Sequence, residues 1–163
     1  MKIFQLAIGF MFLLFAFDSL SLAQKNNCDC NLASEKDVPL GGNMVITENA
    51  GKIKQIKGLI TYGSNEQRFE DVVVEVFEVT KEEKQNIKEN AWRIADKKPR
   101  KIACITGKTG QFCFKNLLKG VYVLRIGTRT RLVEYFNYFF VIVELDTKEG
   151  KNKDIKVVLE LAT

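Results

Sequence analysis

The chain has 163 residues, 25 lysines and arginines against 20 aspartates and glutamates, a formal charge of +5, 46% hydrophobic residues and not one histidine. The missing histidine excludes Ser-His-Asp and Cys-His nucleophile pairs and every histidine-ligated zinc or iron centre. The length suits one domain that buries roughly two-thirds of the surface of its unfolded chain, and the basic residues, spread among acidic ones, read as solvated faces, with an anionic glycan or membrane headgroup as the sharper alternative.

Residues 1–23 read as a secretory signal peptide. Lys2 supplies a positive start, Ile3 to Phe17 is an apolar run broken only by Gln5 and Gly9, and Ser21-Leu22-Ala23 places small residues before a cut at Gln24. An uncleaved anchor is the alternative, opposed by the short run and by Asp18, and Cys28 lies too far from the small-residue site for a lipoprotein signal. The expected location is secreted or periplasmic after cleavage near Ala23, with a mature form that does not span a membrane and no nucleic-acid partner. Residues 24–51 then form a polar N-terminal arm with Pro39 and Gly41-Gly42, in which Met44 to Thr47 is a candidate edge strand.

From residue 52 the pattern is that of strands. Gly51 to Gly63 contains the first, and Asp71 to Val79 is the second, with Val72, Val74 and Val76 on one face and Val73, Glu75 and Phe77 on the other. Thr80 and Glu83 have capping-box spacing, and Ile87, Ala91 and Ile94 make one helical stripe, so a short helix or a long polar loop comes next, ended by Lys97-Lys98-Pro99. Arg100 to Thr106 and Gln111 to Lys115 are the third and fourth strands. Val121 to Gly127 is the fifth, with Tyr122, Leu124 and Ile126 on one side. Phe136 to Leu145 is the sixth, apolar on both faces, as in a strand covered on both sides or one offering an aromatic patch. Asp154 to Leu161 alternates again, with Ile155, Val157, Leu159 and Leu161 inward. Seven short strands with polar turns predict an all-β sandwich over residues 52–163.

The cysteines fit an oxidising compartment. A two-residue loop at Lys108-Thr109 sets Cys104 opposite Cys113 at a non-hydrogen-bonded position, where a disulfide closes. In that register Ile105, Phe112 and Phe114 face the core and the sulfurs lie outside; the bridge stabilises by about 2–3 kcal/mol. Cys28 and Cys30 form a second candidate thiol pair: reduced, bonded to another chain, or joined in a labile bond. Two thiolates without histidine make an incomplete metal shell, so no metal and no cofactor is assigned.

Glu82 with Glu83 and Glu134 with Glu144 are the carboxylate pairs available for acid–base work, and each reads better as helix-start or surface charge. There is no glycine-rich phosphate loop and no Asn-x-Ser/Thr site. Trp92, Phe136, Tyr138, Phe139 and Phe140 are candidate sugar-stacking rings, although many of them are needed for the core. The chain thus reads as an exported, non-enzymatic module that binds a glycan or a protein in the cell envelope or extracellular space. Its alternatives are an assembly protein, crosslinked through Cys28 or Cys30 or adding a strand from its arm to a neighbour, and a small hydrolase using Glu134 or Glu144.

The segments Gly58-Leu59-Ile60, Glu70 to Val76, Thr106 to Phe114, Leu117 and Gly120 to Ile126 resemble the carboxypeptidase regulatory-like domain, whose pattern runs G-x-V, G-V-x-V, then T-D-x-x-G-x-F-x-F-x-x-L-x-x-G-x-Y-x-L-x-V. The match covers about Lys52 to Thr163, and Gly110-x-Phe112 and Gly120-x-Tyr122 are its most specific parts. The version with cysteines at Cys104 and Cys113 looks similar to exported bacterial members. The resemblance implies a seven-stranded Greek-key, transthyretin-like sandwich of the carbohydrate-binding type, with no catalytic residues to carry over. Gly107 stands where many members carry Asp, which puts a calcium or turn-capping role there in doubt.

Overall fold

The computed structural model describes residues 28–40, 45–129 and 138–159; the expected signal peptide lies outside them, as do Phe136 and Glu134. The described elements are β1 (Cys30–Leu32), β2 (Val45–Ile53), β3 (Ile56–Tyr62), β4 (Gln67–Arg68), β5 (Val72–Val79), α1 (Ile87–Lys97), β6 (Ile102–Thr106), β7 (Gln111–Phe114), β8 (Gly120–Thr128), β9 (Tyr138–Leu145) and β10 (Ile155–Leu159), with a 3-10 turn at Glu83–Asn86 leading into α1. A six-stranded sheet runs β1-β6-β5-β8-β9-β2, and a four-stranded sheet runs β10-β3-β4, with β7 also paired to β3. The pairs β2/β9 and β10/β3 are parallel, and the others are antiparallel. The all-β sandwich expected from the alternation is present, with ten described strands in place of seven.

The inter-sheet core arises from period-two alternation. Val72, Val74 and Val76 of β5, Tyr122, Leu124 and Ile126 of β8, and Phe139, Val141, Val143 and Leu145 of β9 face Ile56 and Ile60 of β3, Phe112 and Phe114 of β7, and Ile155, Val157 and Leu159 of β10. Each such side chain, taken out of water, contributes about 1.5–3 kcal/mol. Gly58 is where the layers come closest: a Cβ there would run into the Phe112 ring and the Ile155 carbonyl. Tyr122 is fully buried, and its hydroxyl donates to the Leu118 carbonyl at 2.7 Å, so its one polar group is satisfied at the edge of the core.

The six-stranded sheet carries a second, smaller core on its other face. Phe77, Val79, Val123 and Phe140 pack under Ala91, Ile94 and Ala95 of α1. The helix stripe read from the sequence supplies this contact, and the capping box forms, with the Thr80 amide donating to Glu83 Oε2 at 2.8 Å and the Glu83 amide to Thr80 Oγ1 at 3.4 Å. The sixth predicted strand, β9, is therefore covered on both sides.

One expectation is corrected. The stretch Lys101 to Lys115 is not a hairpin. Its turn is made, with the Gly110 amide donating to the Gly107 carbonyl at 3.0 Å and Gly110 at φ +66, but β6 then stays in one sheet while β7 crosses to pair with β3 in the other. Cys104 is consequently turned into the core, and Cys113 bonds to Cys28, with Cα atoms 6.0 Å apart. The N-terminal arm joins the sandwich, with its later part in the edge position expected of the strand at Met44 to Thr47. β1 pairs with β6 at one edge of the six-stranded sheet, and β2 pairs with β9 at the other and runs through the expected boundary at residue 52. Among the described residues no helix is long and apolar enough to cross a membrane.

Candidate functional site

On the helix-bearing face of the six-stranded sheet, β5 and β8 place two charges among apolar side chains. Glu75 and Arg125 are directly opposite in register, and Glu75 is 2% exposed. Arg125 Nε donates to Glu75 Oε2 at 2.6 Å, and Arg100, from the segment before β6, donates through one terminal nitrogen to Glu75 Oε1 at 2.9 Å. A buried carboxylate is thus held between two guanidinium groups. Arg125 continues to Asp96 on α1 at 3.2 Å and lies over the Phe77 ring, 5.3 Å from its centroid.

The wall opposite α1 is the segment after β1. Ser34 and Asp37 close a small turn: the Asp37 carboxylate accepts from the Ser34 amide at 2.8 Å and hydroxyl at 2.7 Å. Those two bonds hold the Asp37 carboxyl below its ordinary range. Arg100 donates to the carbonyl of Asp37 at 2.7 Å and to that of Ser34, so one guanidinium anchors the turn and meets the sheet. Lys98, beyond the end of α1, donates to the Glu78 carbonyl at 3.0 Å and pairs with Glu83.

Between these walls lies a cavity of about 630 Å³, floored by Glu75, Phe77 and Arg125 and rimmed by Ala33, Glu35, Val38, Asp96, Lys98 and Lys101. It falls in the range of about 300–1,000 Å³ seen for small-ligand sites. Glu78 is a partner of Lys101, and that hydrogen bond raises the ammonium above its ordinary pKa, so the rim stays cationic at neutral pH. The arrangement suits hydrogen bonding and charge pairing with a polar ligand; it contains no nucleophile paired with a base. Among the described residues no group of three or more histidine, cysteine, aspartate or glutamate side chains is placed to hold a metal ion.

The predicted aromatic platform does not assemble. Phe140 is buried beneath α1, which corrects its reading as ligand-facing. Tyr138 is half-buried and donates its hydroxyl to the Pro39 carbonyl at 2.8 Å, and its ring stands 6.5 Å from that of Phe140. Trp92 is 43% exposed on α1, with the Arg93 guanidinium 5.0 Å from its ring. Of the predicted carboxylates, Glu83 caps the 3-10 turn, and Glu144 pairs with Lys52 at 3.5 Å and Lys84 at 3.7 Å on the surface. The residues that sequence reasoning missed are Glu75, Asp96, Arg100 and Arg125. For Glu75 and Arg125 the signal was a carboxylate between valines on the face shared with Val73 and Phe77, and a lone guanidinium within Val121–Ile126.

Neither a protein-family model nor a curated protein matches this chain.

Proposed function

We propose that the protein is an exported, non-enzymatic binding module whose site is the cavity over Glu75 and Arg125, and that its ligand is an acidic saccharide. The observation that carries this reading is the floor: a neutralised carboxylate, and a guanidinium that joins it to Asp96 and lies over the Phe77 ring, inside a recess of ligand size. Carboxylate and guanidinium groups hydrogen-bond sugar hydroxyls, an aliphatic wall that includes Leu32, Ala33 and Val38 accepts the apolar ring face, and Lys98, Lys101, Arg100 and Arg125 outnumber Glu35, Glu75 and Asp96 around the lining. An anionic sugar is the ligand class that uses all three features.

The signal-like residues 1–23 and the intrachain disulfide support export to an oxidising compartment. The motif resemblance to carboxypeptidase regulatory-like domains, seven-stranded Greek-key sandwiches that serve as accessory modules, supports a binding role over catalysis. Against the assembly reading stand the bond that occupies Cys28 and the pairing of β1 with β6 within the chain. Against the hydrolase reading stands the absence of histidine.

The test is a panel of neutral and acidic saccharides presented to the folded chain, with Trp92→Ala as a control for binding on the helix surface. Retention of uronic-acid-type sugars over neutral ones, unchanged in Trp92→Ala, supports the cavity. A blank panel, or binding lost in Trp92→Ala, overturns it.

A further inference from the structure

All four cysteines converge where the β1 edge of the six-stranded sheet meets β7. Cys28 bonds to Cys113, and the two remaining thiols lie beside that bond: Cys104 is buried in the inter-sheet core, and Cys30 packs against the same core. The register of β1 on β6 pairs Leu32 with Cys104 and Cys30 with Thr106, so Cys30 and Cys104 are diagonal neighbours on one face. Their thiol groups interact with each other. The Cys30 sulfur is also 3.9 Å from the Cys113 carbonyl oxygen, so it sits between a cysteine of each sheet.

The geometry points to Cys30 and Cys104 as the site of a second disulfide, which together with Cys28–Cys113 fastens the start of the domain to both sheets at once. Diagonal Cα atoms of an antiparallel pair lie about 7–8 Å apart, and a disulfide spans up to about 6.8 Å. The closing movement falls on β1, which is three residues long and paired on one side only.

The two thiols divide the work. The interaction with Cys104 holds Cys30 down to about 7, against the opposing effects of burial and of the Asp29 carboxylate. The same contact, with burial, pushes Cys104 far up. Cys30 is therefore the attacking thiolate and Cys104 the resolving thiol. The oxidant is a disulfide of the exported environment, either a low-molecular-weight disulfide or a thiol oxidoreductase. The Cys30 thiolate attacks one oxidant sulfur, the oxidant's S–S bond breaks, and its other sulfur leaves as a thiolate. Cys104, on losing its proton, attacks Cys30 Sγ in the mixed disulfide and displaces the second oxidant thiolate. Two protein thiols lose two electrons and two protons, and the oxidant's two sulfurs take them up as thiols.

The test equilibrates the full chain with oxidised glutathione, blocks free thiols without reduction, and cleaves before aspartate and after lysine, where cuts at Asp29, Lys36, Lys101 and Lys108 put the four cysteines on separate peptides. The expected result is no blocked thiol and two linked pairs, Cys28–Cys113 and Cys30–Cys104. Recovery of Cys30 and Cys104 in blocked form overturns the proposal, as does Cys30 linked to Cys28, to Cys113 or to another chain. Cys30→Ser and Cys104→Ala serve as a second arm: Cys30→Ser should expose Cys104 as a blocked thiol, Cys104→Ala should leave Cys30 in a mixed disulfide with glutathione, and Cys28–Cys113 should stay intact in both. Cys30 linked to another cysteine of the chain in Cys104→Ala, or Cys104 still protected in Cys30→Ser, also overturns it.

Discussion

Glu75 and Arg125 face each other across β5 and β8, and the guanidinium Nε donates to the buried carboxylate at 2.6 Å. Arg100 meets the other carboxylate oxygen at 2.9 Å, so a single acidic side chain joins the sheet to the N-terminal segment and, through Arg125 and Asp96, to α1. Replacing Glu75 with Ala leaves two guanidinium groups over the sheet without their partner. The expected loss is about 3–5 kcal/mol in a urea titration. Asp96→Ala, at the exposed end of the same chain of charges, should lose only about 0–1 kcal/mol. Equal losses for the two would contradict a buried hub at Glu75.

The Cys28–Cys113 bond closes a loop across most of the domain, at a sequence separation of 85. Cys28→Ser should lower stability by about 2–4 kcal/mol. It should also speed amide exchange at Ala33 and Gly107, whose bonds to Ala103 and Asp29 hold β1 in place. A neutral Cys28→Ser would instead favour a bond between Cys104 and Cys113.

Asp146 turns the chain from β9 toward β10. Its carboxylate pairs with Lys119 at 2.7 Å and accepts from the Lys148 and Glu149 amides at 3.1 Å each. The Lys119 hydrogen bond first, and those amides with it, lower its pKa from 3.8 to about 2. Because the folded value is the lower one, this stabilisation is fully present above 3.8 and is lost as pH falls toward about 2. Asp146→Asn should flatten the acid limb of a stability-against-pH curve in that window and leave its neutral slope unchanged.

Gly110 sits at φ +66, and a Cβ there would meet the Ile60 carbonyl. Gly110→Ala should cost more than about 1 kcal/mol, read as a lowered urea midpoint with an unchanged slope.

The strands facing the inter-sheet core were legible because alternation is a local signal: Val72, Val74 and Val76, or Tyr122, Leu124 and Ile126, announce a buried face without reference to partners. The turn at Gly107 to Gly110 was legible for the same reason. The path of the chain beyond that turn was not, since a turn does not specify whether the next strand pairs with its predecessor or crosses to the facing sheet. Phe112 is drawn across by Gly58, a partner far back in the chain whose missing side chain makes room for the ring. The N-terminal segment was hidden more deeply. Its residues are polar, and its order is imposed by Arg100 on the carbonyls of Ser34 and Asp37, by Arg129 on the Asp37 carboxylate, and by Cys113 on Cys28. The cavity inherits that invisibility, because one of its walls is this segment.

Calorimetric titration of the folded chain with an acidic disaccharide, beside Ala33→Trp, tests the central claim most directly. Ala33 lines the cavity and takes no part in the ion pairs of Glu75 with Arg100 and Arg125, so its replacement blocks the recess and leaves the charge hub in place. Saturable binding by the wild type, weakened at least about tenfold, or about 1.4 kcal/mol, in a folded Ala33→Trp, is the predicted result. Equal binding by both proteins, or none by the wild type, would contradict a ligand site over Glu75 and Arg125.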